Sequence, residues 1–417
     1  MITQLASRSR YGLLVAVASL VVASGPAAAE TIRDALSAAY NTNPDIGAQR
    51  ARLRQADEGV AQALSNWRPT IRFTAEYGRS WFKNNTTLLQ WQRLKTYGGQ
   101  FQVVQPIFRG GRTVAETRAA EQDVLAERAV LRSAEQQILL DAATAYADVV
   151  TAGALVGLRA NNVRVLREDL TSSTARFRVG ELTRTDVSQA EARLAGAQSD
   201  LIAAEAELAV VRANYLRIVG VPPGTLTDPT VIGVLPKTEE EAIVIAGERN
   251  PAVQAALFRE LASRHRVDLA IGELLPTVSI IGSSSKLWDS NIEGDQSRRH
   301  EIVGQLTVPI YQGGAEHSRV REAKQIVGQR RLELDSRRRE AIETATRVWQ
   351  RLEAQKARVV SINAQIKASS LALEGVRQEA LVGTRRDLAL PVQLYDEEEY
   401  YKANKGRWIG LGPSIDK

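Results

Sequence analysis

The sequence predicts a mainly α-helical chain built on an internal tandem repeat, with long helices paired as antiparallel coiled coils and four β-strands suited to a membrane β-barrel. Three observations lead there. Landmarks of the first half recur about two hundred residues later. A proline-free interval of 69 residues follows a Gly-Gly pair in both halves, and short stretches of two-residue alternation lie between proline landmarks.

Residues 1–29 carry Arg8 and Arg10, the apolar run Gly12 to Ala23, and Ala27-Ala28-Ala29 before Glu30, the layout of a cleavable secretory signal. The mature chain is expected to begin near Glu30. The apolar run is short for an anchor, and no other segment reads as apolar enough to span a bilayer as a helix. There is no cysteine, which rules out both a disulfide framework and thiol acylation. Stability must then come from packing, a membrane or oligomerisation. The formal charge of +6 falls to +4 without the two signal arginines. Nothing clusters that charge into a nucleic-acid footprint. Aromatic residues are 5% of the chain, while Ala, Leu, Glu, Arg and Gln dominate long stretches, as in extended helices packed along narrow seams.

Length alone would suggest two or three domains, but the repeat divides the chain differently. Thr31, Pro44 and Pro69 recur as Thr238, Pro251 and Pro276, each shifted by 207 residues. Pro106-Ile107-Phe108, Gly110-Gly111 and Val179-Gly180 recur as Pro309-Ile310-Tyr311, Gly313-Gly314 and Val382-Gly383, shifted by 203. The expected units are residues 30–219 and 238–417, joined by the Pro/Gly-rich stretch 220–237. Each reads helix, strand, loop, strand, long helix, tip, helix. Pro69, Pro106, Gly110, Gly111, Pro276, Pro309, Gly313 and Gly314 mark the junctions of barrel strands with helices.

The first helix of each unit opens with Thr31-x-x-Asp34 or Thr238-x-x-Glu241, a capping signature, and Pro44 and Pro251 then predict a kink or break. Long helices are expected over residues 112–178 and 315–381, each on the order of 100 Å. No compact domain accommodates such a rod. After the first tip, Val187, Leu194, Leu201, Leu208 and Tyr215 fall seven apart, with Ala190, Ala197, Ala204, Val211 and Ile218 as a second stripe. Val149, Val156, Val163, Leu170 and Phe177 keep the same step in the preceding helix. Large residues facing alanines at a strict seven-residue period call for close, left-handed pairing of two helices, the second over residues 184–219.

Strands are expected at about residues 70–82 and 97–108, and again at about 277–288 and 300–311. Ile71, Phe73, Ala75 and Tyr77 alternate with Arg72, Thr74 and Glu76; Ile302, Gly304, Leu306 and Val308 alternate with Val303, Gln305 and Thr307. Such strands suit lipid on one side and water on the other, with polar loops 83–92 and 289–299 facing the exterior. A soluble amphipathic sheet would alternate similarly, so the strands alone leave both readings open. Backbone groups at a sheet edge cannot be left open in lipid, and four strands are too few for a barrel. If these strands are in a membrane, the chain must oligomerise, two copies giving eight strands and three giving twelve.

The segment Thr31 to Arg52 with Asn43-Pro44, the stretch Gln105 to Gly111, the tip Arg176 to Val187 and the stretch Val308 to Gly314 together resemble the TolC family of outer-membrane channels, in particular its type I secretion branch. The resemblance covers about residues 30 to 386. It implies a homotrimer with a twelve-stranded barrel and an α-helical tunnel, sited in the outer membrane and reaching into the periplasm. It also implies a periplasmic adaptor (membrane fusion) protein docking on the tips Arg178, Val179, Gly180, Glu181 and Val382, Gly383, Thr384, with an inner-membrane ABC or proton-driven transporter as the pump. In the family an acidic residue six after the first tip glycine pairs with an arginine two after the second and holds the periplasmic mouth shut. Here these are Asp186 and Arg385. Where the family places aspartates six and nine after the second tip glycine, this chain has Ala389 and Val392; Asp387 and Asp396 stand nearby, out of register. Pro391 and the 34 residues that follow Gly383 imply a shortened, divergent last helix.

Chemistry is sparse. His265, His300 and His317 are spread without ligand spacing, no Gly-rich phosphate motif occurs, and no nucleophile can be named. The expectation is a passive conduit with no enzyme activity, no cofactor and no metal. The competing class is a periplasmic coiled-coil adaptor, which would need no paired β-segments in both halves.

Overall fold

The computed structural model describes residues 30–84, 88–230, 235–290 and 294–381. In the first half, helices α1 (Ile32–Thr42) and α2 (Pro44–Ser65) lead into strands β1 (Thr70–Tyr77), β2 (Ser80–Asn84), β3 (Leu88–Leu94) and β4 (Tyr97–Arg109), followed by α3 (Arg112–Arg178) and α4 (Arg184–Val219). The second half runs α5 (Glu239–Arg249), α6 (Pro251–Gly272), β5 (Thr277–Trp288), β6 (Gln296–Thr307) and α7 (Ala315–Leu381). The segment expected to form the last, shortened helix lies outside the described residues.

Side-chain caps open each half, because the first amides of a helix have no partner within it. Thr31 Oγ1 accepts from the Asp34 amide, and the Asp34 carboxylate accepts from the Thr31 amide at 3.0 Å, the reciprocal arrangement of a capping box. Thr238 Oγ1 likewise accepts from the Glu241 amide at 3.2 Å. The Asn-Pro pairs break the helices cleanly. Asn43 ends α1 and caps α2, its Oδ1 accepting from the Asp45 amide at 2.9 Å, and Pro44 takes the first turn, where its missing N–H costs nothing. Asn250 and Pro251 do the same between α5 and α6. The break also serves α4: Thr42 Oγ1 and Asn43 Nδ2 donate to the carbonyls of Val219 (2.7 Å) and Ile218 (3.0 Å), which end that helix and have no acceptor role within it.

α3 and α7 are rods of 67 residues each, about 100 Å long at the helical rise. α4 returns along α3 with Ala190, Ala197 and Ala204 buried in the seam, and Val163 and Leu166 pack there with Leu194 and Leu201. Alanine on one stripe lets the backbones approach closely. Phe177 departs from the pattern, 41% exposed at the end of the hairpin. α3 also contains a stretch apolar and long enough to cross a membrane, contrary to the sequence expectation. A third of that stretch is buried within the chain, where Ala142, Ala145, Tyr146 and Val149 form one core with Ala35, Ala39, Tyr215 and Ile218.

That core is tied to the start of the described chain. The Glu30 amide donates to the Thr225 carbonyl (2.9 Å) and the Thr227 amide donates back to the Glu30 carbonyl (3.2 Å). The Tyr146 hydroxyl donates to the Thr227 carbonyl at 2.6 Å, and Tyr215 donates to Glu30 Oε1 at 2.6 Å. The Gly224 amide reaches Glu30 Oε2 at 3.1 Å. Burial pushes both phenols above their usual range, with the Glu30 carboxylate adding to the shift at Tyr215. Both therefore remain protonated donors at neutral pH.

β1, β4, β5 and β6 form one antiparallel sheet in that order, leaving β1 and β6 as open edges. β2 and β3 pair separately. The first strand therefore stops at Tyr77 and does not run on to about residue 82, and the expected loop 83–92 contains part of a second hairpin. Beyond the Tyr77–Tyr97 pair, the Gly78 amide closes on the Thr96 carbonyl at 2.8 Å, and the chain leaves the main sheet. β6 also begins and ends earlier than expected. Asp289 accepts the Gly294 amide (2.7 Å) and its own amide bonds to the Asp295 carbonyl (2.8 Å), so ladder pairing starts at Gln296, inside the expected loop 289–299. At the other end Pro309 has no amide to extend the strand.

Candidate functional site

Residues directly opposite each other in an antiparallel sheet share a face, so the register separates the two surfaces. One face carries the row Ile71, Val103, Gly282 and Ile302, then Phe73, Phe101, Ser284 and His300. Farther from the helices come Ala75, Gly99, Lys286 and Arg298, and last Tyr77, Tyr97, Trp288 and Gln296. Phe73 and Phe101 lie 4.6 Å apart, and Tyr97 and Trp288 stack at 5.0 Å. The opposite face carries Arg72, Gln102, Ser283 and Glu301, then Thr74, Gln100, Ser285 and Arg299. The first face, apolar near the helices and aromatic at its far end though crossed by Lys286 and Arg298, suits lipid; the second, polar over these rows with Val104, Ile281 and Val303 as one apolar row nearer the helices, suits a water-filled lumen.

The expected junction residues stand at the helix end of this sheet. Pro69 and Pro276 immediately precede β1 and β5. Gly110, Gly111, Gly313 and Gly314 all have positive φ, between 63° and 81°, where the chain turns from strand to rod. Only glycine adopts that backbone without strain. Gly110 is also crowded: a Cβ there would strike the Gly272 carbonyl and come within 2.8 Å of Leu275 Cβ, whereas Gly111 has open space. Two prolines differ from expectation. Pro106 lies inside β4 at a register shift, a bulge that tolerates its missing amide, and Pro309 lies two residues beyond β6.

At the far end of the rod, Val179 and Gly180 close α3. The Glu181 amide bonds to the Arg176 carbonyl (2.9 Å) and the Gly180 amide to the Phe177 carbonyl (3.0 Å), with Gly180 at φ 82°. This is a Schellman ending. Arg176 Nε pairs with Glu181 at 3.1 Å, and Val179, 73% exposed, is left at the apex beside Arg178. Asp186 sits in the first turn of α4. Its Oδ2 accepts from the Thr183 amide (2.8 Å) and hydroxyl (2.7 Å), which hold the carboxyl below its usual range. Sequence reasoning missed this capping role, although Thr183-x-x-Asp186 repeats the signal already read at Thr31-x-x-Asp34. Oδ1 makes no hydrogen bond among the described residues. Arg385, Asp387 and Asp396, and the second tip Val382, Gly383 and Thr384, lie outside them.

The chain matches the outer membrane efflux protein family over residues 35–221 and 242–392. It is 33% identical to the outer membrane efflux protein BepC of Brucella suis biovar 1, covering 95% of this chain and 96% of that one. It is 24% identical to the proteases secretion protein PrtF of Dickeya chrysanthemi, covering 96% and 90%. Among solved structures, the Campylobacter jejuni CmeC outer membrane channel superposes with a TM-score of 0.78 at 14% identity, covering 93% and 87% of the two chains.

Proposed function

Because the chain belongs to the outer membrane efflux protein family, and so serves as an outer-membrane exit duct, we propose that three copies close their sheets into one twelve-stranded barrel continued by a tube of helices into the periplasm. The observation that carries this is the sheet itself. It has one mainly apolar face and two unpaired edges, β1 and β6, and unpaired backbone groups cannot face hydrocarbon. Joining β1 of one copy to β6 of the next closes both edges of the four-stranded sheet. The polar face, with Arg72, Gln102, Ser283 and Glu301, then lines the conduit. A periplasmic adaptor would have no use for such a sheet.

Conduction is passive, and energy comes from a partner. The exposed apex at Arg178, Val179, Gly180 and Glu181, with Val382, Gly383 and Thr384 of the second tip, is where a periplasmic adaptor protein docks. An inner-membrane ABC or proton-driven transporter delivers cargo. A relative named for protease secretion brings proteins within the range of cargo.

Asp186 and Arg385 hold the periplasmic mouth. Asp186 does so while capping α4, because its two bonds to Thr183 use only Oδ2. One exposed pair is worth roughly 0–1 kcal/mol, but three around a constriction bias a two-state gate. Single-channel recording in planar bilayers tests the whole reading. The purified protein should give discrete openings whose conductance rises in Asp186→Ala and Arg385→Ala; absence of any channel would refute the duct, and unchanged conductance in both variants would refute the lock.

A further inference from the structure

The outward face of the sheet is apolar except near its hairpin end, where Lys286 and Arg298 stand directly opposite each other on β5 and β6, with His300 in the neighbouring row. Like charges paired across a ladder repel. Lys286 Nζ lies 4.2 Å from the centre of the Trp288 ring. Neither cation has a carboxylate within ion-pair distance among the described residues. Ring closure supplies none on this face, because the outward side chains of β1 are Ile71, Phe73, Ala75 and Tyr77.

One row from the cations the same face has a shallow groove. Gly282 and Ser284 leave a groove of about 420 Å³, walled by Phe101 and Val103 on one side and by His300 and Ile302 on the other, with Ser283 and Glu301 of the intervening backbone also in its lining. A Cβ at Gly282 would meet nothing within 4 Å. The groove begins at Ser284 and His300, two residues or about 7 Å from the cations, and lies toward the helix end. Lys286 and Arg298 are two residues from the end of the ladder, about 7 Å along the strand. This is the end away from the helices and next to the aromatic row, the headgroup level of the outer leaflet.

We propose that this face binds a phosphate-bearing, acylated glycolipid of the outer leaflet, its phosphate between Lys286 and Arg298 and an acyl chain in the groove over Gly282. The proposal rests on the outward assignment of the face and on the ring. Charge complementarity selects the headgroup: an anion relieves the repulsion between the two cations, and a cation near a membrane surface contributes about a fivefold factor in affinity for anionic lipid. Elsewhere on this face the surface has no charge and accepts any hydrocarbon chain.

Native mass spectrometry of the detergent-extracted full-length protein tests the proposal, because each spectrum reports assembly and bound lipid together. The probes are bisphosphorylated lipid A, the same lipid dephosphorylated, and phosphatidylglycerol. Lipid A should bind the trimer about thirtyfold more tightly than its dephosphorylated form. Lys286→Gln with Arg298→Gln should abolish that preference, and Gly282→Leu, which fills the groove, should weaken both forms. Arg72→Gln and Arg299→Gln, on the lumen face, should change nothing. Equal binding of the two forms of lipid A by the wild-type trimer, equal binding of phosphatidylglycerol, or an equal loss in Arg299→Gln would each overturn the proposal without touching the ring. A monomer of the wild-type chain in that spectrum would overturn the ring itself, and this site with it.

Discussion

Replacing Tyr215 by Phe removes one hydroxyl from the fully buried junction of α1, α3, α4 and the segment around Leu226. That hydroxyl donates to Glu30 Oε1 at 2.6 Å, and a hydrogen bond to a charged group contributes about 1.5–3 kcal/mol. Glu30 Oε2 keeps the Gly224 amide, so the carboxylate is half satisfied in the variant and a loss of about 2 kcal/mol is expected. Tyr146→Phe should cost less, about 1 kcal/mol. The Glu30 carbonyl that its hydroxyl approaches still accepts the Thr227 amide, leaving the Thr227 carbonyl as the main loser. Hydrogen exchange reads the difference locally. At tenfold per 1.4 kcal/mol, the amides of Gly224 and Thr227 should exchange about thirtyfold faster in Tyr215→Phe and about fivefold faster in Tyr146→Phe. The double variant should fall short of the sum, because both hydroxyls hold the same residue. Unchanged exchange at Gly224 and Thr227 in Tyr215→Phe would refute the assignment of this knot as the anchor of the first repeat.

Gly110→Ala should lower trimer thermal stability more than Gly111→Ala. Both incur left-handed strain of about 1–2 kcal/mol, but only position 110 adds a collision with Gly272 and Leu275, about 1–3 kcal/mol of overpacking; equal melting shifts would contradict this. Thr183→Ala should raise conductance as Asp186→Ala does if the cap positions the carboxylate, and single-channel traces identical to wild type would separate capping from gating. Because Asp186 is held below the usual carboxylate range by Thr183, its contribution to the tip is present above the unfolded carboxyl value and is lost as pH falls through the lowered one. Channel openings should thus become more frequent only in strongly acidic buffer, and a transition near neutral pH would point to another group.

The helical part of the fold is legible because its signals are local and repeated. A seven-residue step sustained from Val187 to Tyr215, an unbroken interval after each Gly-Gly pair, and Thr caps three residues before an acid each specify structure within one or two turns. The Asn-Pro pairs are equally readable, since Pro44 and Pro251 cannot continue a preceding helix but fit the start of the next. Strand ends are less so. Nothing in the alternation from Ile71 onward shows that the ladder stops at Tyr77, because the stop depends on where Gly78 meets Thr96, a contact made after pairing. Pairing itself is hidden for the same reason: Lys286 and Arg298 are unremarkable until the register sets them side by side. The family resemblance offered Asp186 as an expected gate residue and not as a cap, although its spacing from Thr183 contains the capping signal. The knot at Glu30 joins residues nearly two hundred positions apart, beyond the reach of any periodicity.

In the proposed ring β1 of one copy pairs with β6 of the next, three times over. The chain has no cysteine, so a single cysteine in β1, at Thr74, combined with one cysteine at a time along β6 from Ser297 to Gln305, reports on that pairing alone when oxidised in membranes. At least one position should give a ladder of covalent products ending at three chains. A series with no intermolecular product at any position, or a ladder ending at two, would contradict the ring.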